Sequence, residues 1–330
     1  MNFLGTPLGY AISFIYKIIP NYALSIIIFT ILLRFILIPM AIKQQKSMAK
    51  TSALSPYISE INKKYAKNVA KKNEELQKIY SKYNVNPASG CLPVILPFLV
   101  LIGMVDVIYR PLTHILHLDA SVIDSAIEIL KNTAKDIQIK GNGAIQLNLI
   151  SDVLNNSDKY QSLGPDALEA IKSINLNFLG FNLGEKATFS SATIIFPILA
   201  LVFSFLSIFV SFKTNSMPKT DNGNPAFKVM MFIMPVISIY ISLTVPIGVT
   251  LYWIVGYVAQ IIQTLILYKI CNMDELKEKA IAEIEEIRKK NKPKKIDKTK
   301  TEEGLKEESN VNDNERLAKA RKALYDKYDS

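Results

Sequence analysis

Two stretches of this chain carry no Asp, Glu, Lys or Arg: residues 187–212, 26 positions, and residues 229–268, 40 positions. Runs of about 18 or more apolar residues are read as membrane spans, because a helix of that length matches the hydrocarbon core of a bilayer. Two further charge-poor runs, 18–42 and 91–109, are interrupted only by Arg34 and Asp106 respectively. Of the 330 residues 49% are apolar and mean hydropathy is +0.19, yet 21% are charged and the net charge is +10. Apolar and charged residues are therefore segregated along the chain. That is the pattern of a polytopic membrane protein with basic water-exposed parts, not of a nucleic-acid-binding globule.

Five spans are expected: Tyr22–Ile42, Cys91–Tyr109, Ala192–Phe212, Phe227–Val245 and Gly248–Tyr268. The turn signal Val245-Pro246-Ile247-Gly248 splits the 40-residue run into a tight helical hairpin. Pro39, Pro93, Pro97, Pro197 and Pro235 fall inside spans, where neighbouring helices re-satisfy the freed backbone groups. The fold class is all-α. Lys and Arg near the span ends set the orientation. Segment 43–90 holds 10 Lys against 3 acids, Lys213, Lys219 and Lys228 flank Asp221, and the tail from Lys269 holds 17 basic and 15 acidic residues. These three segments fall on one side of a five-span chain. Segment 118–189, with 6 Lys and 9 acids, and residues 1–21, with Lys17 alone, fall on the other. The N-terminus is thus expected outside and the C-terminus in the cytoplasm of a bacterial cell. No basic n-region precedes the first apolar stretch, so a cleavable signal peptide is not expected.

Residues 1–21 place Leu4, Leu8, Ile12, Ile15 and Ile19 on one helical stripe, read as an amphipathic helix in the outer interface. The alternative is an extension of the first span. Segment 43–90 repeats Leu54, Ile58, Ile61, Tyr65 and then Leu76, Ile79, Tyr80, Tyr83 at helical spacing, with a polar break over Lys67–Asn73. This predicts an antiparallel cytoplasmic helical hairpin with one apolar seam. The extracytoplasmic loop 118–189 shows helical patches at Val122–Leu130 and Ala167–Ile174, broken at Gly141-Asn142-Gly143 and Gly164-Pro165. The tail 271–330 is charged. Glu275–Lys290 extends the last helix into water, Asn291–Asn314 reads as disordered, and Ala318–Tyr328 as a marginal basic helix.

Enzyme chemistry has no visible residues. There is no Ser-His-Asp set, no H-E-x-x-H pair and no Gly-rich phosphate loop. Cys91 and Cys271 make neither a disulfide framework nor a zinc pattern, and His114 and His117 lack ligand-spaced partners, so no metal and no cofactor is expected. The residue that carries a mechanism is Arg34. Placing a charge within a span costs about 2.5–3.5 kcal/mol on insertion scales. Arg34 lies 8 residues, roughly 12 Å, from the expected cytoplasmic end of its span. The cost is tolerable if the side chain faces a hydrated cavity. The competing reading is a structural ion pair, for which Asp106 is the only acid in a span, but Asp106 is expected near the outer end. Ser204, Ser207, Ser211, Gln260, Gln263 and Thr264 are candidates to line a polar groove, with Gln260 and Gln263 on one helical face.

The segments Thr30–Pro39, Gln44–Lys50, Leu54–Ile58, Asn86–Pro93, Val245–Gly248, Leu251–Gly256 and Ile261–Thr264 resemble, in order and spacing over about residues 20–270, the YidC/Oxa/Alb insertase family. The resemblance implies a membrane protein insertase and chaperone that works without nucleotide. It takes nascent membrane proteins from the ribosome, alone or with the Sec translocon. By motif position it implies that Arg34 is the positive charge of a substrate groove, that Thr30 contacts substrate one turn away, and that Trp253 lines the groove on the last span. The implied partners are nascent membrane proteins, the Sec translocon, the ribosome and the lipid bilayer, with the chain working as a monomer. The absence of a large domain before the first span fits the Gram-positive type. The 72-residue outer loop and the mildly basic tail depart from the pattern. The alternative function is a small-solute transporter or channel, which predicts inverted repeats, and none is visible. A scaffold whose tail does the work is a third reading.

Overall fold

The path of the chain through the membrane is decided first at Leu37. A proline has no amide hydrogen and clashes with the carbonyl four residues back, so Pro39 cannot continue a helix through residue 35. In the computed structural model, which describes residues 2–86, 92–133, 144–214 and 225–290, α2 (Tyr22–Ile36) ends there. A second helix, α3 (Ile38–Ala53), starts with Pro39 in its first turn and departs at 49°. The expected span Tyr22–Ile42 is therefore a broken one. The described protein is mainly helical. Ala192–Lys213 and Ile247–Ile270 are each long and apolar enough to cross a membrane, and α2 with α3 passes the same test as a bent pair.

Before α2 lies α1 (Asn2–Ile18), and Asn21 caps α2 by accepting from the Leu24 amide at 3.0 Å. After α3 come α4 (Ser55–Lys64) and α5 (Val69–Lys82), which pack on each other. The break between them is at Tyr65–Asn68, earlier than the expected Lys67–Asn73. The Asn68 side chain caps Lys71 N at 3.0 Å, so the polar residues after it are already helical. Next come α6 (Leu92–Tyr109) and the single turn α7 (Pro111–His114). The Gly141–Gly143 break, most of the motif Asn86–Pro93, most of segment 213–226 and the tail beyond Lys290 lie outside the described residues.

Segment 118–189, the expected outer loop, has its own core. α8 (Ala120–Thr133), α9 (Ile145–Asn155), a 3-10 segment (Ser157–Leu163) and α10 (Pro165–Ser173) pack around Ile123, Leu130, Leu147, Ile150, Tyr160 and Ile171. A hairpin of β1 (Asn177–Phe178) and β2 (Phe181–Asn182) follows. The helical part of the first unit is completed by α11 (Ile195–Lys213), entered through a 3-10 turn at Ala192–Ile194, α12 (Pro225–Ser242) and α13 (Ile247–Ile270). Helix α11 packs chiefly on α13, α13 also on α2, and α1 on α6 and α2. The chain then divides into units 1–281 and 282–330. The last described helix, α14 (Met273–Lys290), runs from the end of the first into the second.

The apolar stripe of α1 packs toward the protein. Ile12 and Ile15 are buried, and Leu8 packs on the core. The opposite face, with Phe3, Tyr10, Phe14 and Ile18, is the exposed one. Gly5 and Gly103 let α1 and α6 approach closely, and Gly9 does the same for α1 and α7. A Cβ on Gly103 would sit 3.0 Å from the Leu4 carbonyl oxygen, and one on Gly5 would overlap the Asp106 carboxylate.

Candidate functional site

Arg34 stands in the last turn of α2, three residues before the break at Leu37. This changes its expected setting. The span does not continue through Ile42, so the guanidinium is at a helix C-terminus, where the exposed carbonyl dipoles favour a cation. Its Nη2 donates to Gln260 Oε1 of α13 at 3.5 Å, a long contact. Gly256, one turn before Gln260, lies beside the guanidinium: a Cβ built there would stand 3.9 Å from Arg34 Nη2, an ordinary contact. The Tyr252 and Tyr257 hydroxyls are within electrostatic reach, and Tyr257 also hydrogen-bonds Ser238 of α12. Among the described residues no carboxylate lies within ion-pair distance of Arg34. The site is thus a half-buried cation beside one amide oxygen and near two tyrosines, at the meeting of α2 and α13.

The other expected site residues fall differently. Gln263 is half-buried one turn beyond Gln260 on α13. Trp253 is half-buried and packs against the core. Thr30 is only 2% exposed, and its hydroxyl donates back to the Ile26 carbonyl at 2.7 Å, the local bond a threonine makes when its helix face is packed. Ser204, Ser207 and Ser211 are buried with Ala200 on one face of α11. Small residues at this spacing let membrane helices pack closely, and α13 is the helix that α11 packs on. They are packing residues there, not a groove lining. Gly256, Tyr252 and Tyr257 were missed as site residues. The available signal was a glycine in mid-span, four residues before Gln260.

Asp106 settles the pairing question. Its carboxylate takes Arg110, one turn on in sequence, and His114 Nε2 at 3.0 Å. Burial pushes the His114 imidazole below its usual value, against the opposing pull of Asp106. Arg110 stands only half-exposed at the end of α6, so the acid is neutralised where it lies. No group of three or more His, Cys, Asp or Glu side chains placed to hold a metal ion occurs among the described residues.

Residues 14–278 match the model of the family described as 60Kd inner membrane protein. The chain belongs to that family. It is 30% identical over 260 residues to the membrane protein insertase YidC of Prosthecochloris aestuarii, covering 79% of this chain and 35% of that protein. It is 28% identical over 277 residues to the membrane protein insertase YidC 2 of Listeria innocua, covering 82% and 73%. It is 27% identical over 266 residues to the membrane protein insertase MisCA of Bacillus subtilis, covering 79% and 76%. The chain therefore spans about a third of the Prosthecochloris relative's length and about three quarters of the other two. Family membership and the two long apolar helices together make it a multi-pass membrane protein. Arg34, Gly256 and Gln260 all lie inside the matched region.

Proposed function

We propose that this chain is a membrane protein insertase and chaperone of the bacterial cell membrane. It crosses the bilayer five times, with its N-terminus outside and its C-terminus in the cytoplasm. The observation that carries the reading is Arg34: a cation beside an amide and, among the described residues, without a carboxylate, at a broken helix end inside the apolar part of the chain. An ion-paired arginine has no charge to offer a client. Arg34 has one, in surroundings where a charge acts more strongly than in water. Broken helices at membrane depth are tolerated where they line a hydrated cavity. The acidic tail of a nascent protein enters that cavity from the cytoplasm and meets Arg34, which shortens the apolar distance left to cross. The client's own apolar helix then moves into lipid, and burial of about 20 apolar residues drives the step without nucleotide. The α4–α5 pair receives the client on the cytoplasmic side, and the ribosome and the Sec translocon deliver it.

The test is insertion of a single-span substrate with an acidic tail into liposomes holding the full chain. Arg34→Ala is expected to lower insertion of the acidic-tailed substrate at least several-fold and to spare the same substrate with its acids neutralised. Arg34→Lys keeps the charge and is expected to restore most activity. Equal insertion by wild type and Arg34→Ala would remove the electrostatic groove.

A further inference from the structure

The outer loop ends in a feature that neither its core nor the insertase reading explains. The β1–β2 hairpin turns through Leu179-Gly180, both at positive φ, 52° and 84°. A two-residue turn of this kind wants Asn-Gly, since asparagine and glycine accept the left-handed region at low cost. Here the first turn residue is a leucine, held in a conformation it disfavours, with its side chain 81% exposed. Strain combined with an exposed large apolar side chain points to a tip selected for contact rather than for the turn itself.

The fold fixes the level of that tip. Phe181 of β2 packs edge-on against Phe196 in the first turn of α11, with ring centroids 5.2 Å apart at 87°. The segment after the hairpin is bonded to the start of α13: Gly248 N donates to the Leu183 carbonyl at 2.9 Å, and Ile247 N to the Glu185 carbonyl at 2.7 Å. The hairpin is thereby tied to the same end of both membrane-length helices. Leu179 is two residues from Phe181, at most about 7 Å of chain. Phe189, 82% exposed, stands three residues before the helical entry at Ala192. Lys186, exposed and bridged through its backbone to Pro246, supplies a cation at that level. Two exposed large apolar groups and a lysine beside the first turns of two spans match the layered chemistry of a membrane interface, apolar just below the phosphates.

We propose that the hairpin tip is a lipid anchor: Leu179 and Phe189 insert into the leaflet at the outer ends of α11 and α13, and Lys186 meets lipid phosphate. The bonds from Leu183 and Glu185 to α13 then transmit that hold to the helix that carries Gln260. The occupant is bilayer lipid, because the patch is continuous with the membrane ends of two spans.

The test uses the full chain in vesicles of phosphatidylethanolamine and phosphatidylglycerol. Nitroxide labels are placed at Leu179→Cys, Phe189→Cys and Lys159→Cys, the last on the exposed 3-10 segment, in a Cys91→Ser/Cys271→Ser background. Collision with oxygen and with a water-soluble nickel chelate is then measured. The ratio of oxygen to nickel collisions is expected to be at least five-fold higher at 179 and 189 than at 159. Ratios at 179 and 189 equal to that at 159 place the tip in water and overturn the proposal, including the case where a protein partner is its ligand. A second variant, Leu179→Asn, relieves the turn strain while removing the anchor. Hydrogen exchange of amides 183–187 is expected to quicken in vesicles by five-fold or more in this variant and to stay unchanged in detergent. If Leu179→Asn slows exchange in vesicles, the leucine has no anchoring role.

Discussion

Gln146 is the clearest place to put a number on the outer assembly. It lies in the first turn of α9, is 4% exposed, and caps α7 from 33 residues away. Its Oε1 accepts from Leu112 N at 3.0 Å and Thr113 N at 3.3 Å, and its Nε2 donates to the Thr113 hydroxyl at 2.7 Å. A helix start leaves its first amides without intrahelical partners, and Pro111 removes only one of those donors. Replacing Gln146 by Leu keeps the volume and strands both amides, Leu112 being fully buried. A buried donor left unpaired costs about 1–3 kcal/mol. Counting Leu112 in full and the longer Thr113 contact at the low end gives about 2–4 kcal/mol. Each 1.4 kcal/mol is ten-fold in an opening equilibrium, so amides of α7 and α9 are expected to exchange roughly 30- to 700-fold faster. Hydrogen exchange read by mass spectrometry on the reconstituted chain reports this directly. Gln146→Glu keeps the acceptor and should recover part of the loss. Acceleration below three-fold in Gln146→Leu would refute the distant-cap argument.

Gly9→Ala places a Cβ 2.8 Å from His114 Cβ and 2.9 Å from the His114 carbonyl oxygen. Backbone must move, so about 1–3 kcal/mol of α1 docking is expected to be lost, seen as faster protease cleavage within 2–18. His114 gives a pH dependence. Its folded value lies below the ordinary 6.5, so the opened state binds the proton more readily and α7 packing should be constant above pH 6.5 and weaken as pH falls through the folded value. Asp106 opposes that shift, while Arg110 and His117 reinforce it. Exchange of α7 amides, corrected for intrinsic rate, checks the sign, and His114→Asn should flatten the profile. Tyr160→Phe removes a 2.6 Å bond to Asp152 and leaves that buried carboxylate with the Asn156 amide at 2.8 Å. A loss of about 1.5–3 kcal/mol is expected, measured as an earlier unfolding midpoint of the outer loop in urea.

The places where sequence and structure part have specific causes. The long apolar runs were legible because a missing charge is an unambiguous signal, and the helices lie where those runs lie. The break at Leu37 was not read because Pro39 was treated as one more tolerated membrane proline. What decides it is that the chain turns at Leu37, whose amide reaches back to Leu33, and Pro39 then serves as the first-turn proline of a new helix. α9 went unseen because its stripe of Leu147, Ile150 and Val153 includes polar Gln146 and Asp152, which the fold pairs through tertiary bonds. The hairpin went unseen because Leu-Gly is not a recognised turn pair. At the site, Arg34 and Gln260 were each legible as uncommon residues in a span, and the structure joins them. The serines of α11 misled because hydroxyls in a membrane helix suit both a wet groove and a dry close contact, and only burial tells the two apart.

The two polar centres inside the apolar chain are built on opposite principles, and the difference bears on direction. Asp106 has Arg110 and His114 on it, so its charge is cancelled within a few ångströms and exerts little field on anything passing. Arg34 has an amide at 3.5 Å, which stabilises a cation by a dipole without cancelling it. Leaving it unpaired costs stability that a carboxylate would return, and a buried pair broken from one side costs more still. On the proposed orientation, an acidic segment entering from the cytoplasm therefore meets attraction in the inner half and a neutral outer end. It is drawn part-way and then finds no second charge to hold it. A carboxylate placed beside Arg34, for instance by Gln260→Glu, would satisfy the arginine and steady the contact between α2 and α13. On this reasoning it should also lower insertion of acidic-tailed substrates as much as Arg34→Ala does. Stability and activity moving in opposite directions in one variant separates a working charge from a structural one.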